Sequence, residues 1–428
     1  MEMKKLSKIK NSFVSRNSGL LKLALKSGMG ILKNSQNPTE ILKTIIGKDP
    51  AKFTEELSLY KGSIMKAGQL LSLYGEYYLP KELNVFLEAL RSQSHYIDFD
   101  IIKSTIPART LNELTFEKTP LAAASIGQVH LAKDSLGNEY AVKIQYKGIK
   151  KAIDTDIFFL KLFFKTAKVL PKGMNFDSVF DEVRKNLELE TDYHNEARMI
   201  KAYRENLNKY DLHEINTPIV NVELSTEEVI VLSKIEGVTL DQFVKTSSDQ
   251  KFKNNIAQKL FEIFLHEIFN FNLVQTDAHG GNYLIDDESK TLGLIDFGAC
   301  VEYSKEDIKF YQNFLKYSVA ENKELFLKSM RDFFSYTENK MEYDEDLLWQ
   351  YVTIATDPVR EESYNWAKTN LPDRLFDLGM KLQATIKAKK VPHQFVFIDR
   401  KVIGLFSLMR SLEAEFSVKA SYEQIVKS

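Results

Sequence analysis

The chain has 428 residues, with 58 Lys and Arg against 59 Asp and Glu and a formal net charge of -1. That balance excludes a general electrostatic grip on nucleic acid, which needs surplus cations to displace counterions; 44% hydrophobic and 27% charged residues exclude wholesale disorder. The single cysteine, Cys300, excludes an intrachain disulfide framework or a multi-cysteine zinc site, and no uninterrupted apolar run reaches the roughly 18 residues of a membrane-spanning helix.

Neutrality is an average. Residues 1–33 carry Lys4, Lys5, Lys8, Lys10, Arg16, Lys22, Lys26 and Lys33 against only Glu2, interleaved with Leu6, Ile9, Phe13, Leu20, Leu21 and Ile31. A cationic helix with such an apolar face suits adsorption to an anionic bilayer; a solvated basic arm and a helix that caps the main body are the alternatives. Lysines interrupt the apolar stretch, so a secretory signal is not expected, whereas an organelle-targeting segment fits an acid-poor basic start. The expected location is cytoplasmic and peripheral at the inner face of a membrane, or mitochondrial in a eukaryote.

From Phe53 to Arg91 the periodicity is helical, with Leu57, Tyr60, Ile64, Gly68 and Leu71 on one face. Lys66, Gln69 and Leu73 point to the other side, which predicts a helix covered on both faces. From Thr115 to Tyr146 the pattern changes to short strands, and Gly127–Lys133, a turn at Ser135–Asn138, and Glu139–Gln145 predict a β-hairpin. A helix over about 150–169 then precedes a single long acidic helix over about 177–206, followed by strands at Thr217–Glu223 and Glu228–Lys234. Glu236-Gly237 is the expected hinge, with Glu236 among the nucleotide-binding candidates. Beyond Phe252 the chain reads as mostly helical. The expected divisions are a basic arm over 1–50, a helical extension over 51–110, a small mixed lobe over 111–236 and a helical lobe over 237–428.

The chemistry concentrates in the loop-rich passage from Gln275 to Cys300. Asp277 is followed five residues later by Asn282, the catalytic-loop spacing of kinase-like folds. Leu292-Gly-Leu-Ile-Asp296-Phe-Gly298 then places a second aspartate at a strand end. Asp296 and Asn282 are hard oxygen donors suited to Mg²⁺, and Asp277 can orient or deprotonate a nucleophile. His279 lies within the loop, either as a phosphate contact or as a residue with a structural hydrogen bond. Upstream, Lys143 in Tyr140-Ala-Val-Lys-Ile occupies the position of a lysine that pairs with α- and β-phosphates, with Glu196 as its partner carboxylate.

Two features depart from ordinary protein kinases. Registering G-x-G-x-x-G-x-V on Val129 gives Ala122, Ala124 and Gly127, so two of three phosphate-loop glycines are alanines. Their methyl groups restrict the backbone and its approach to phosphate. Beyond Gly298, Ser304-Lys-Glu-Asp307 reads as a helix N-cap with an acidic first turn, which leaves no room for a peptide-docking platform.

Together these motifs resemble the UbiB (AarF) family of atypical kinases of isoprenoid quinone (ubiquinone-type) biosynthesis, over about residues 61–427. The hallmarks are Lys66-Ala-Gly-Gln69, the Ala-rich loop Ala122-Ala123-Ala124-Ser125-Ile-Gly127, Glu190-Thr-Asp192, Gln275-Thr-Asp277 and Asp296-Phe-Gly298. The resemblance implies an α+β, protein-kinase-like bilobal fold carrying an added N-terminal helical extension. It implies that Lys66 and Gln69 lie near Glu190 and Asp192 where a peptide substrate would otherwise sit, and that the Ala-rich loop, Glu190 and Asp192 belong to the nucleotide site. On one continuous helix Asp192 and Glu196 share a face and Glu190 does not, so Glu190 needs a helix start or kink to join them. The implied activity is ATP binding and ATPase-like turnover with Mg²⁺, with protein phosphorylation suppressed in cis, at membranes and beside quinone-biosynthesis proteins or lipid intermediates. A small-molecule or lipid kinase and an ATP-sensing scaffold with negligible turnover are the alternatives.

Overall fold

The computed structural model describes residues 4–6, 63–78, 95–124, 126–166, 176–336, 341–388 and 393–426. The chain divides into two compact units: Met1–Arg198 with Ile219–Lys234, and Met199–Pro218 with Ile235–Ser428. Of the basic arm only β1 (Lys4–Leu6) is described, an extended segment paired in parallel with β2 (His95–Ile97) where a helix was expected. The rest of residues 1–33 lies outside the described residues.

In the first unit, α1 (Ser63–Tyr78) is the described part of the predicted Phe53–Arg91 helix. Ile64, Met65, Ala67, Leu70 and Leu71 are buried around most of its circumference, as expected for a helix covered on both sides. The sheet contains β3 (Thr115–Phe116), β4 (Ala122–Ala123), β5 (Gly127–Lys133) and β6 (Glu139–Gln145), the last two with the predicted bounds. Asp134 Oδ1 accepts hydrogen bonds from the amides of Leu136 and Asn138, and Gly137 takes φ +88°. This side-chain-to-backbone turn is what fixes the register of the hairpin. The remaining strand, β7 (Val229–Ser233), lies antiparallel on β6. Alternate residues Val142, Ile144, Val229 and Val231 bury one face of this sheet against Ile102, Ile106 and Leu114, following the two-residue period of strands.

Two predicted elements differ. The strand expected at Thr217–Glu223 is reduced to a bridge between Val220 and Leu232 and a single 3₁₀ turn, Val222–Leu224. Asn221 Oδ1 accepts from the Leu224 amide and closes that turn, a local bond that competes with extension. The single acidic helix is two: α2 (Ile149–Thr166) is followed by α3 (Phe176–Glu190) and α4 (Tyr193–Lys209), which break at Thr191-Asp192.

In the second unit, the strands Ile215–Asn216, β8 (Val238–Thr239), β9 (Leu273–Gln275), β10 (Tyr283–Asp286), β11 (Thr291–Leu294) and β12 (Cys300–Glu302) form two small sheets. One has the order Ile215–Asn216, β11, β10, β8, and the other pairs β9 with β12. Helices surround them: α5 (Leu240–Thr246), α6 (Gln250–His266), α7 (Lys305–Val319), α8 (Lys323–Tyr336), α9 (Glu345–Ala355), α10 (Leu371–Thr385), α11 (His393–Ser411) and α12 (Val418–Val426). Among the described residues no helix is long and apolar enough to cross a membrane.

Beneath the Ala-rich loop the first unit holds a buried polar chain. Gln128 pairs with both backbone groups of Ile97 and donates to His130 Nε2, while His130 Nδ1 donates to the Glu117 carbonyl. Both ring nitrogens are thus used by the neutral imidazole, and burial holds the His130 pKa below its ordinary value. The unfolded chain therefore takes up the proton first. Stability present above about pH 6.5 should be lost as pH falls through the unfolded value towards the folded one. Urea midpoints at pH 7.5 and pH 5.0 are expected to differ more in the wild type than in His130→Gln.

Candidate functional site

In the first unit Lys143 sits mid-sheet on β6, opposite Val129 of β5 and Ile230 of β7. Its Nζ pairs with Glu196 in the first turn of α4, with side-chain exposures of 16% and 5%. A pair at about 4 Å gains roughly 4 kcal/mol at an effective dielectric near 20, and desolvation offsets much of it. The consequence is a lysine held in one direction by a carboxylate that also lies at the favourable, positive end of a helix.

The break between α3 and α4 has a physical cause. Gln145, two residues beyond Lys143, donates to the carbonyl of Thr191 at the end of α3, while the Tyr193 amide donates to the carbonyl of Glu227. Asp192 Oδ1 accepts from the amide of His194, so Asp192 is the N-cap of α4. Freed from the register of α4, Glu190 forms an ion pair with Lys66 of α1 at 2.8 Å, both side chains being less than 15% exposed. Ser63 Oγ, at the start of α1, donates to Asp156 Oδ2 of α2 at 2.5 Å and fixes that helix beside them. The expected meeting of Lys66 with Glu190 is therefore present, whereas the described side-chain hydrogen bonds of Asp192 go to its own helix. Gln69 lies in α1, but its side chain is outside the described residues, as is Ser125.

The Ala-rich loop is a tight hairpin. Ala122 and Ala123 pair with Val129 and Gln128, and the Ala124 amide donates to the Gly127 carbonyl at 2.8 Å. A Cβ on Gly127 would lie 2.4 Å from the carbonyl oxygen of Ile144. The one retained glycine is thus required by the neighbouring strand, independently of any phosphate. Glu236 is exposed just after the chain enters the second unit at Ile235; beside it Gly237 takes φ +122°.

In the second unit each residue of Gln275-Thr276-Asp277 has a distinct bonding role. Gln275 Nε2 donates to the carbonyls of both Asp277 and Asp296, at 3.1 and 3.3 Å. Thr276 donates through its amide and hydroxyl to the Ala299 carbonyl. Asp277 Oδ1 pairs with Arg400 of α11 at 2.5 Å. Asn282 Nδ2 donates to the Asp277 carbonyl at 3.0 Å, and Asp296 Oδ1 accepts from the Gly298 amide at 3.0 Å. Asp277, Asn282 and Asp296 are thereby tied into one bonded loop assembly. Its carboxylates and carboxamide are the donor types that Mg²⁺ takes. His279 Nδ1 accepts from the Gly281 amide, the structural alternative of the two readings. Cys300 is buried on β12, paired with Gln275. At Ser304 both halves of a capping box form and α7 begins at Lys305, as the sequence predicted.

Residues that sequence reasoning missed lie far along the chain. Arg400, Lys401 and Gly404 of α11 all serve this loop. Lys401 and Glu267 form an ion pair at 3.1 Å with neither side chain exposed to solvent. Glu267 opens a π-helical turn, Glu267–Phe271, of a kind frequent at functional sites. Its Oε1 accepts from the hydroxyl of Tyr203 and the amide of Gln275. Tyr203 in turn packs edge-on against Phe297, which is wholly buried. Burial pushes the Glu267 carboxyl above the usual carboxylate range despite Lys401 beside it. Burial also opposes the charge on Lys401, and Glu267, with Tyr283 and Cys300, outweighs that opposition and raises its pKa. A basic pair in a helix more than 120 residues beyond the residues it contacts, Gln275 and Asp277, carries no spacing signal.

A protein-kinase-like fold carrying Asp277, Asn282 and Asp296 in kinase-like order defines the class. Residues 107–330 match the ABC1 atypical kinase-like domain, and the chain belongs to that family of UbiB/AarF atypical kinases. It is 28% identical over 437 residues to the mitochondrial atypical kinase COQ8 of Saccharomyces cerevisiae, covering 98% of this chain and 86% of that protein. It is 28% identical over 374 residues to the mitochondrial atypical kinase COQ8B of Danio rerio, covering 86% of this chain and 59% of that one. With the probable serine/threonine-protein kinase abkA of Dictyostelium discoideum the figures are 31% over 341 residues, 72% and 59%. The chain therefore spans little more than half the length of these last two relatives. Among solved structures, a Mycobacterium tuberculosis protein, Rv3197 in complex with erythromycin, matches with a TM-score of 0.59 at 23% identity. That match covers 91% of this chain and 98% of the other, and it is a likeness of fold.

Gly404 gives a direct test of the contact between α11 and the catalytic loop. An added Cβ would lie 2.7 Å from the carbonyl oxygen of Ala278. In an open helix Gly→Ala stabilises by about 0.5–1 kcal/mol. Here overpacking, at about 1–3 kcal/mol, should reverse the sign, so Gly404→Ala is expected to lower the urea midpoint.

Proposed function

We propose that the protein binds Mg-ATP and hydrolyses it in support of isoprenoid quinone (ubiquinone-type) synthesis at a membrane. The observation that carries this reading is the Gln275 carboxamide, which holds the backbones of Asp277 and Asp296 together. A scaffold that only sensed nucleotide would have no need of a tethered proton acceptor beside metal-binding oxygens. The names of the COQ8 relatives support the quinone pathway and, for a eukaryotic host, a mitochondrial location.

In this reading Lys143, aimed by Glu196, contacts the α- and β-phosphates, with the backbone of Ala122, Ala123, Ala124, Ser125 and Gly127 lying along them and Glu236 beside the nucleotide. Asn282 and Asp296 would hold Mg²⁺, which would supply charge neutralisation to the phosphate oxygens. Asp277, kept in position by Arg400, orients the attacking water and accepts its proton as the bond from the γ-phosphorus to the ADP oxygen breaks. Lys66 and Glu190, paired with each other, would occupy the ground where a peptide would dock. The early start of α7 supports the same restriction, since the chain turns into helix directly after the metal loop. That compact arrangement also fits phosphoryl transfer to a small molecule or lipid, the second reading. Labelled phosphate would then appear in a lipid extract instead of as free phosphate.

Asp296→Asn is expected to abolish Mg²⁺-dependent ATP binding and to reduce turnover by at least about a hundredfold, comparable to other losses of charge stabilisation. Isothermal titration and phosphate release check this, and unchanged turnover would sink the metal assignment. The basic arm predicts binding to vesicles containing anionic lipid that weakens as salt rises. Removal of residues 1–33 should abolish co-sedimentation; retained binding would move the contact to another surface.

A further inference from the structure

Gln275 is almost fully buried and makes use of both ends of its carboxamide. The nitrogen faces two backbone carbonyls, which can only accept, and the oxygen lies 3.3 Å from Lys401 Nζ, which can only donate. Only one orientation of the amide satisfies all three neighbours. Lys401 and the two carbonyls thus agree on which way the amide points, and Lys401 can remain charged where solvent does not reach it only because Glu267 is beside it. Glu267 reinforces the same point from the other side by accepting from the backbone amide of Gln275 at 3.1 Å.

We propose that Lys401 and Glu267 are positioning residues that fix the Gln275 carboxamide and through it the separation of Asp277 from Asp296. Neither touches the reacting atoms. The inference rests on the reading of Asp277 and Asp296 given above. If Lys401 is removed, the Glu267 carboxylate competes for the Gln275 amide nitrogen, the carboxamide rotates, and the carbonyls of Asp277 and Asp296 lose their shared donor. Groups that orient metal-binding residues from behind change metal affinity or activity by about 10–100-fold when lost.

The test compares full-length wild type with Lys401→Met and with the charge-free pair Glu267→Gln/Lys401→Met, each checked for native circular dichroism at the assay temperature. ATP affinity is measured with EDTA and with Mg²⁺, alongside kcat and KM for ATP. In the folded double variant, affinity in EDTA should stay within about threefold of wild type, while KM, read with Mg²⁺ present, should rise with the lost gain. The gain in affinity from Mg²⁺ should shrink by about tenfold or more and kcat should fall by about 10–100-fold. A role confined to stability would lower the urea midpoint and leave both quantities unchanged, and that result in a folded variant overturns the proposal. Gln275→Leu leaves the ion pair intact and carries the same two outcomes should the double variant unfold. Asp296→Asn is run in parallel. If it keeps the wild-type gain from Mg²⁺, the site assignment has failed; if it loses the gain while the Lys401 and Gln275 variants keep it, only the positioning role has failed.

Discussion

The candidate site depends on a pair of opposite charges from which water is excluded. Removing two ions from water costs several kcal/mol each, and their mutual attraction repays this only with good geometry and further hydrogen bonds. Glu267 and Lys401 have the further hydrogen bonds: two from Tyr203 and Gln275 on the carboxylate, and the Gln275 oxygen for the ammonium. Such a pair adds little net stability over apolar residues of the same size. What it contributes is direction, since every neighbour has one acceptable orientation. Gln275 of the Gln275–Asp277 segment, Tyr203 packed on Phe297, and α11 all meet at that pair.

The first unit solves a different problem by interrupting a helix. An unbroken helix through residues 177–206 would place Glu190 and Glu196 on different faces, as the 3.6-residue period requires. Gln145 and the Glu227 carbonyl take the backbone groups at Thr191 and Tyr193 that the helix would otherwise use, and Asp192 caps the new start. Glu190 then serves Lys66 and Glu196 serves Lys143. The Glu-Thr-Asp triplet is thus a helix end, a carbonyl held by a strand, and a helix start. The identity of the middle residue also has a local reason, because the Thr191 hydroxyl donates back to the Leu187 carbonyl and is satisfied within its own turn.

Local patterns were the most legible. Alternation about a turn at Ser135–Asn138 placed the β5–β6 hairpin to the residue, and Ser304 with Asp307 placed the start of α7. The order of Asp277, Asn282 and Asp296 identified the kinase-like class. Less legible was the Thr217–Glu223 segment, where one Asn221 side-chain bond outweighed an apolar pattern that read as a strand. The Lys4–Leu6 segment pairs with a strand some ninety residues away, which its own composition does not disclose.

The amino-acid sequence by itself determined the chemical inventory and its local geometry, because hairpin turns, caps and loop spacings are decided by residues within a few positions of one another. It determined that Lys143, Asp277, Asn282 and Asp296 exist in kinase-like order on the right kinds of element. Only the tertiary structure decided what holds them. Arg400, Lys401 and Gly404 reach the loop from more than 120 residues along the chain, and a lysine that will be buried against a glutamate looks in sequence like any solvated lysine. The difference is burial, which sequence periodicity reports for apolar side chains but not for charges, since a charge enters the core only where a partner from a remote element has made it tolerable.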